Sequence, residues 1–265
     1  MLVPVQTSGR KPPLFFVHGR RGVMTLGSSF SGVLGPDQPV YVIHANGMDG
    51  RRPVLEDVSD MVPSYVKEIH GIRPIGPILL GGMCEGSLAV LEIARELREM
   101  RRQVGPPILL DPPPIPPGYN KQNQTIDTRQ PEVAERLYQQ VRRFLLDDAS
   151  QPYNDLPFDA NDPDQIHLAI LAGVGSVIAF ARHIPRPYPG PAQVILSAER
   201  STGFFHPQMP WPKLLSGPRM VQVLPFDHTP LLRAGREQLA RALKFMIDEG
   251  PALERTSEHQ APAFA

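Results

Sequence analysis

Residues 79–87, Leu-Leu-Gly-Gly-Met-Cys-Glu-Gly-Ser, restrict the fold of this chain more than any other segment. They form a Gly-x-Cys-x-Gly run between an apolar β-like stretch, Pro77 to Leu80, and a helix-like one, Leu88 to Arg101. A strand that turns abruptly into a helix needs residues without side chains at the turn, because a Cβ there would meet the neighbouring backbone. In this context Gly-x-Ser-x-Gly forms a nucleophile elbow, which pushes its central residue into a site. Here that residue is Cys84, the one cysteine in 265 residues.

Apolar patterning around the elbow alternates between strand and helix. Pro13 to Val17 reads as a buried strand followed by a glycine-flanked loop, His18 to Gly22. Pro39 to Ile43 reads as a second strand, and Leu55 to Ile69 carries apolar residues at helical spacing with Pro63 inside it. After the elbow, Ser87 to Arg102 reads as a helix and Pro107 to Leu110 as a strand ended by Asp111. Ala192 to Leu196 and Met220 to Leu224 read as returning strands, and Leu231 to Glu249 as a closing amphipathic helix. Such alternation predicts a mostly parallel sheet with helices on both faces. Between Gly118 and Pro189 two helical stretches, Pro131 to Leu146 and Asp164 to Arg182, predict an inserted helical lid. The second bears an apolar stripe, and its Gly173 and Gly175 point to a bend or to close packing. We expect one domain over 1–249, with the lid at about 118–189 and a disordered tail over 250–265.

Composition narrows the function classes. Lys+Arg and Asp+Glu are equal at 27 each, which argues against a nucleic-acid surface or a polybasic membrane anchor. A single cysteine excludes an internal disulfide and a cysteine zinc cluster, so a cytoplasmic location is expected. The first residues lack the apolar core of a signal peptide, and no apolar run reads as long enough to span a membrane. The 32 prolines gather in short clusters that stiffen connections.

A nucleophilic thiol needs a base, and the base needs an orienting acid. In the α/β-hydrolase architecture these follow in the chain order nucleophile, acid, histidine. His228, in a loop directly after the last expected strand, is the candidate base; His18, after the opening strand, is expected to brace a loop. Two acids are open: Asp111, ending the strand after the elbow helix, and Glu199, following the strand 192–196.

These segments resemble the thioesterase domains of nonribosomal peptide and polyketide synthases and of fatty-acid synthase. The likeness rests on Pro13-Leu14-Phe15-Phe16-Val17-His18-Gly19, on Leu80 to Gly86, on Leu109-Leu110-Asp111 and on Pro225-Phe226-Asp227-His228. It implies an α/β-hydrolase fold and a triad of Cys84, Asp111 and His228, favouring Asp111 over Glu199. It also implies an oxyanion hole made by the backbone N–H groups of Arg20 and Glu85. The implied partner is an acyl or peptidyl carrier protein presenting an acyl thioester on its phosphopantetheine, with no metal or redox cofactor. Met1 leads us to expect a freestanding enzyme, with a terminal domain expressed alone as the other option.

The chain departs from most of that family at position 84, where serine is usual. Transfer from a pantetheine thiol to Cys84 exchanges one thioester for another, so the acyl group stays activated for water, an amine or a hydroxyl. A general carboxylester or dienelactone-type hydrolase and an acyl-carrier-binding pseudoenzyme are the other readings. The Glu85 side chain is expected at the surface, or else leaning over the site mouth. Arg20 and Arg21 are expected in a solvated loop, or else against a phosphate or a substrate carboxylate.

Overall fold

The computed structural model describes residues 1–24, 28–115, 126–147, 156–206, 210–231 and 234–258. Seven strands make one sheet: β1 (Leu2–Gln6), β2 (Leu14–Val17), β3 (Val40–Ile43), β4 (Leu79–Met83), β5 (Ile108–Leu110), β6 (Ala192–Ser197) and β7 (Arg219–Leu224), in the order β1-β3-β2-β4-β5-β6-β7. All neighbours are parallel except β1, which pairs antiparallel with β3.

The inner strands are short apolar runs because both of their faces are covered. In β2, Phe15 and Val17 point into one core, and Leu14 and Phe16 into the other. The first core lies under α2 (Val58–Ile72) and α3 (Gly86–Glu99). The second lies under α1 (Ser28–Leu34) and the C-terminal helix, numbered α9 below. Asp57 caps α2 by accepting from the Ser59 N–H at 2.8 Å, and the helix continues through Pro63.

β1 is not legible in the sequence. It is a half-exposed edge strand interrupted by Pro4, a residue that only an edge accepts. Its place is fixed from outside, by pairing with β3 and by the Met1 amino group donating to the His44 carbonyl at 2.8 Å.

Between β5 and β6 the described residues hold helices and no strand: α4 (Pro131–Arg142), continued by one π-helical turn at Arg143–Asp147, and α5 (Pro163–Arg182). Both lie inside the expected lid and share a small apolar core at Leu137, Val141, Ile170, Val177 and Ile178. Most of the α5 stripe is thus packing. By length and composition α5 is apolar enough to cross a membrane, contrary to the reading that no run approaches that length, but most of it is buried within the protein. Gly173 and Gly175 serve close packing. A Cβ at Gly173 would lie 2.6 Å from Val141 Cγ1, and one at Gly175 2.3 Å from Val54 Cγ1.

Three short helices follow: α6 (Ala198–Phe204), α7 (Trp211–Leu214) and α8 (His228–Leu231). The last, α9, runs Arg236–Glu258. The expected disorder after residue 250 is therefore corrected as far as Glu258. The closing helix, expected to end at Glu249, runs on and carries Pro251 in its interior. The expected lid segments 118–125 and 148–155, and the tail 259–265, lie outside the described residues.

Candidate active site

β4 delivers Cys84 to the C-terminal edge of the sheet, where the chain reverses into α3. Cys84 has φ 51°, a left-handed conformation that costs a residue with a Cβ on the order of 1 kcal/mol or more. The flanking glycines are required by contact. A Cβ on Gly82 would lie 2.5 Å from the Gly86 carbonyl oxygen, and one on Gly86 2.3 Å from that of His18. The turn is pinned by Cys84 N–H donating to Leu110 O at 2.8 Å and Ser87 N–H donating to Cys84 O at 3.0 Å.

The loop after β2 lies against the elbow, so close that a Cβ on Gly19 would be 3.5 Å from Cys84 Cβ. His18 braces it as expected. Fully buried, its Nδ1 is 2.7 Å from Gly19 O and its Nε2 2.7 Å from Tyr65 Oη. A carbonyl only accepts, which assigns the proton to Nδ1 and leaves Nε2 to accept from Tyr65. Burial lowers the pKa of His18 to about 4, so the ring is neutral near pH 7.

Asp111 and His228 come together. Asp111 follows β5 with φ 47° and is fully buried. Its Oδ2 lies 2.6 Å from His228 Nδ1, and its Oδ1 accepts from the Ser197 N–H at 2.7 Å. Glu199 takes a different part, its Oε2 accepting from the His228 backbone N–H at 3.2 Å. Of the two acids, Asp111 meets the ring and Glu199 the main chain.

The sulfur has other neighbours than expected. Arg200 Nη1 lies 3.2 Å from Cys84 Sγ, and the same nitrogen donates to the Asp111 carbonyl. The Glu85 carboxylate is a second neighbour, hydrogen-bonded to the thiol. No hydrogen bond joins Sγ to the His228 ring among the described residues. Such contacts are commonly long before substrate binds. Burial and Glu85 push the Cys84 thiol up to about 12, against a lowering pull from Arg200.

Glu85 is not a surface residue. It is buried, and its Oε1 pairs with Arg20 Nη2 at 2.6 Å. Burial opposes its ionisation, but Arg20 and the surrounding donors hold it below the usual carboxylate range. The expectation of a surface Glu85 failed because helix position alone does not reveal its pairing with Arg20 from the loop after β2. Arg21 stacks over the Phe144 ring at 5.0 Å. The sequence reading also passed over Arg200 and Ser197. Ser197 bonds Asp111 through its N–H, and its hydroxyl accepts from the Arg200 N–H at 3.2 Å, capping α6. Only proximity to Glu199 pointed there. Among the described residues no group of three His, Cys, Asp or Glu side chains is placed to hold a metal ion.

Comparison with known proteins places the chain in a family. A dimodular nonribosomal peptide synthase of Bacillus subtilis (strain 168) is 33% identical over 111 residues, 42% of this chain and 5% of the synthase. Malpibaldin synthetase of Mortierella alpina is 36% identical over 104 residues, 39% of this chain and 2% of that one. The chain thus spans a small part of the curated relatives it matches. Among solved structures, the four domain nonribosomal peptide synthetase holo-AB3403 superposes with TM-score 0.70 at 23% identity, over 94% of this chain and 20% of its own. The type II thioesterase BorB from the borrelidin biosynthetic cluster superposes with TM-score 0.65 at 16% identity, over 93% of this chain and 97% of its own. These structural likenesses establish the α/β-hydrolase fold. A family model described as a thioesterase domain matches residues 12–152, just over half of the chain. Since that half contains the elbow, the loop that covers it and the strand ending in Asp111, this chain belongs to the thioesterase domain family.

Proposed function

We propose that this thioesterase-family protein takes an acyl or peptidyl chain from the pantetheine thioester of a carrier protein onto Cys84, and releases it to water or to an amine or hydroxyl. The observation that carries the reading is the 2.6 Å contact between Asp111 and the His228 ring, set at the same sheet edge as a cysteine on a left-handed elbow. The relative named as a nonribosomal peptide synthase supports a carrier-bound substrate.

In this mechanism Asp111 accepts from His228 Nδ1–H and leaves Nε2 free to take the thiol proton. Sγ attacks the thioester carbonyl, and the oxyanion is held by the N–H groups of Arg20 and Glu85. The intermediate collapses, the C–S bond to pantetheine breaks, and the departing thiolate takes the proton from His228. In the second half His228 deprotonates the acceptor, which displaces Cys84. The intermediate is itself a thioester, so little driving force is lost on loading and amines remain competent acceptors.

Intact-mass measurement after mixing with acyl-pantetheine thioesters tests this directly. An acyl adduct on the wild-type protein, absent from Cys84→Ala and discharged with time, is expected. Adduct-free protein with full turnover would overturn the Cys84 assignment.

A further inference from the structure

We propose that Arg200 is a catalytic residue of this site, the guanidinium counter-ion of the Cys84 thiolate. The inference rests on the reading of Cys84 as nucleophile and adds a group that the triad does not contain.

The geometry is specific. Nη1 lies 3.2 Å from Sγ and also donates to the Asp111 carbonyl, while Nε lies 3.6 Å from Asp111 Oδ2. One planar fork therefore spans the sulfur, the main chain and the carboxylate that holds His228, an arrangement a lysine ammonium does not reproduce. The side chain is only 18% exposed, and its helix is fixed in place by the Ser197 cap. A thiol is a weak acceptor, whereas a thiolate forms a charge-assisted bond to a guanidinium. The contact with sulfur therefore strengthens when Cys84 ionises.

Charge balance explains why the site needs it. Glu85 and burial both favour the neutral thiol, and Arg20 is committed to Glu85. Arg200 is the cation in contact with Sγ among the described residues. When the proton passes from Sγ to His228, the new negative charge forms against Arg200 and the new positive charge forms against Asp111, so the site stays near neutral. Arg200 acts again in the second half-reaction. The acceptor attacks the acyl carbon, the C–S bond breaks, and its electron pair returns to Sγ as thiolate beside the guanidinium, while the acceptor's proton goes to His228. A serine oxygen is not ionised before attack, so the contribution of Arg200 belongs to the cysteine form of the site.

The test is the rate of iodoacetamide alkylation at Cys84 at fixed, near-neutral pH, followed by intact mass with Cys84→Ala as blank. Arg200→Gln and the apolar Arg200→Met are compared with wild type, each checked for folding by circular dichroism. Either folded variant is expected to slow alkylation about tenfold, equivalent to about tenfold less thiolate. An unchanged rate overturns the proposal. Acyl-pantetheine loading is then measured for Arg200→Gln with and without Cys84→Ser. We expect a loss of about tenfold with cysteine and a much smaller one with serine, and equal losses would reduce Arg200 to a structural part. Slowed alkylation without acyl loading would refute the acyl-enzyme reading and leave the ion pair standing. Loading with an unchanged alkylation rate would refute the ion pair alone.

Discussion

Asp111 reaches His228 across 117 residues of sequence, Oδ2 to Nδ1 at 2.6 Å, while its other oxygen is held by the Ser197 N–H. An acid anchored at both oxygens fixes the tautomer and direction of the imidazole. Asp111→Asn is therefore expected to lower kcat by roughly 10³-fold or more with little change in substrate binding. Glu199→Gln, which alters an acceptor of the His228 backbone N–H, is expected to cost under about tenfold. Steady-state kinetics on one acyl-pantetheine substrate compares them, and the reverse ranking would reassign the acid.

Glu85 and Arg200 act on the thiol in opposite directions. Glu85→Gln removes the negative charge beside Sγ, so alkylation of Cys84 at fixed, near-neutral pH is expected to quicken, opposite to the Arg200 variants. Slower alkylation on Glu85→Gln would mean that Glu85 acts on the thiol by some route other than its charge.

Acid sensitivity follows from two buried histidines. Burial depresses His18 from 6.5 to about 4, and burial, helped by the proximity of His18, depresses His44 to about 3. Below pH 6.5 the unfolded chain binds protons at these rings that the folded protein refuses. Stability is therefore full above pH 6.5 and falls as the pH drops, through about 4 for His18 and about 3 for His44. His18 alone accounts for roughly 3 kcal/mol across that window. Urea denaturation between pH 7 and 4 checks this, and a flat profile would contradict it.

Two glycines should respond oppositely to alanine. At Gly175 the new Cβ would lie 2.3 Å from Val54 Cγ1 and 2.7 Å from the Leu55 carbonyl oxygen, so Gly175→Ala should destabilise by about 1–3 kcal/mol. At Gly32, inside α1, nothing among the described residues lies within 4 Å of an added Cβ, so Gly32→Ala should stabilise by up to about 1 kcal/mol. Thermal melts of the two proteins separate the cases.

The sequence by itself determined the inner strands, because β2 to β6 are covered on both faces and must be continuous apolar runs whatever surrounds them. It determined the elbow too, since Gly82 and Gly86 admit a turn that few other residues allow. The pairing of Asp111 with His228 was legible because the first ends a strand and the second follows one closely. Tertiary structure decided the rest. β1 exists as a strand only because β3 offers its edge. The reach of α9 through Pro251 to Glu258 runs against local breaker signals. The burial of Glu85, its pairing with Arg20 and the placing of Arg200 against Sγ join residues far apart in the chain, and charge partners of that kind leave no period or spacing in a single sequence.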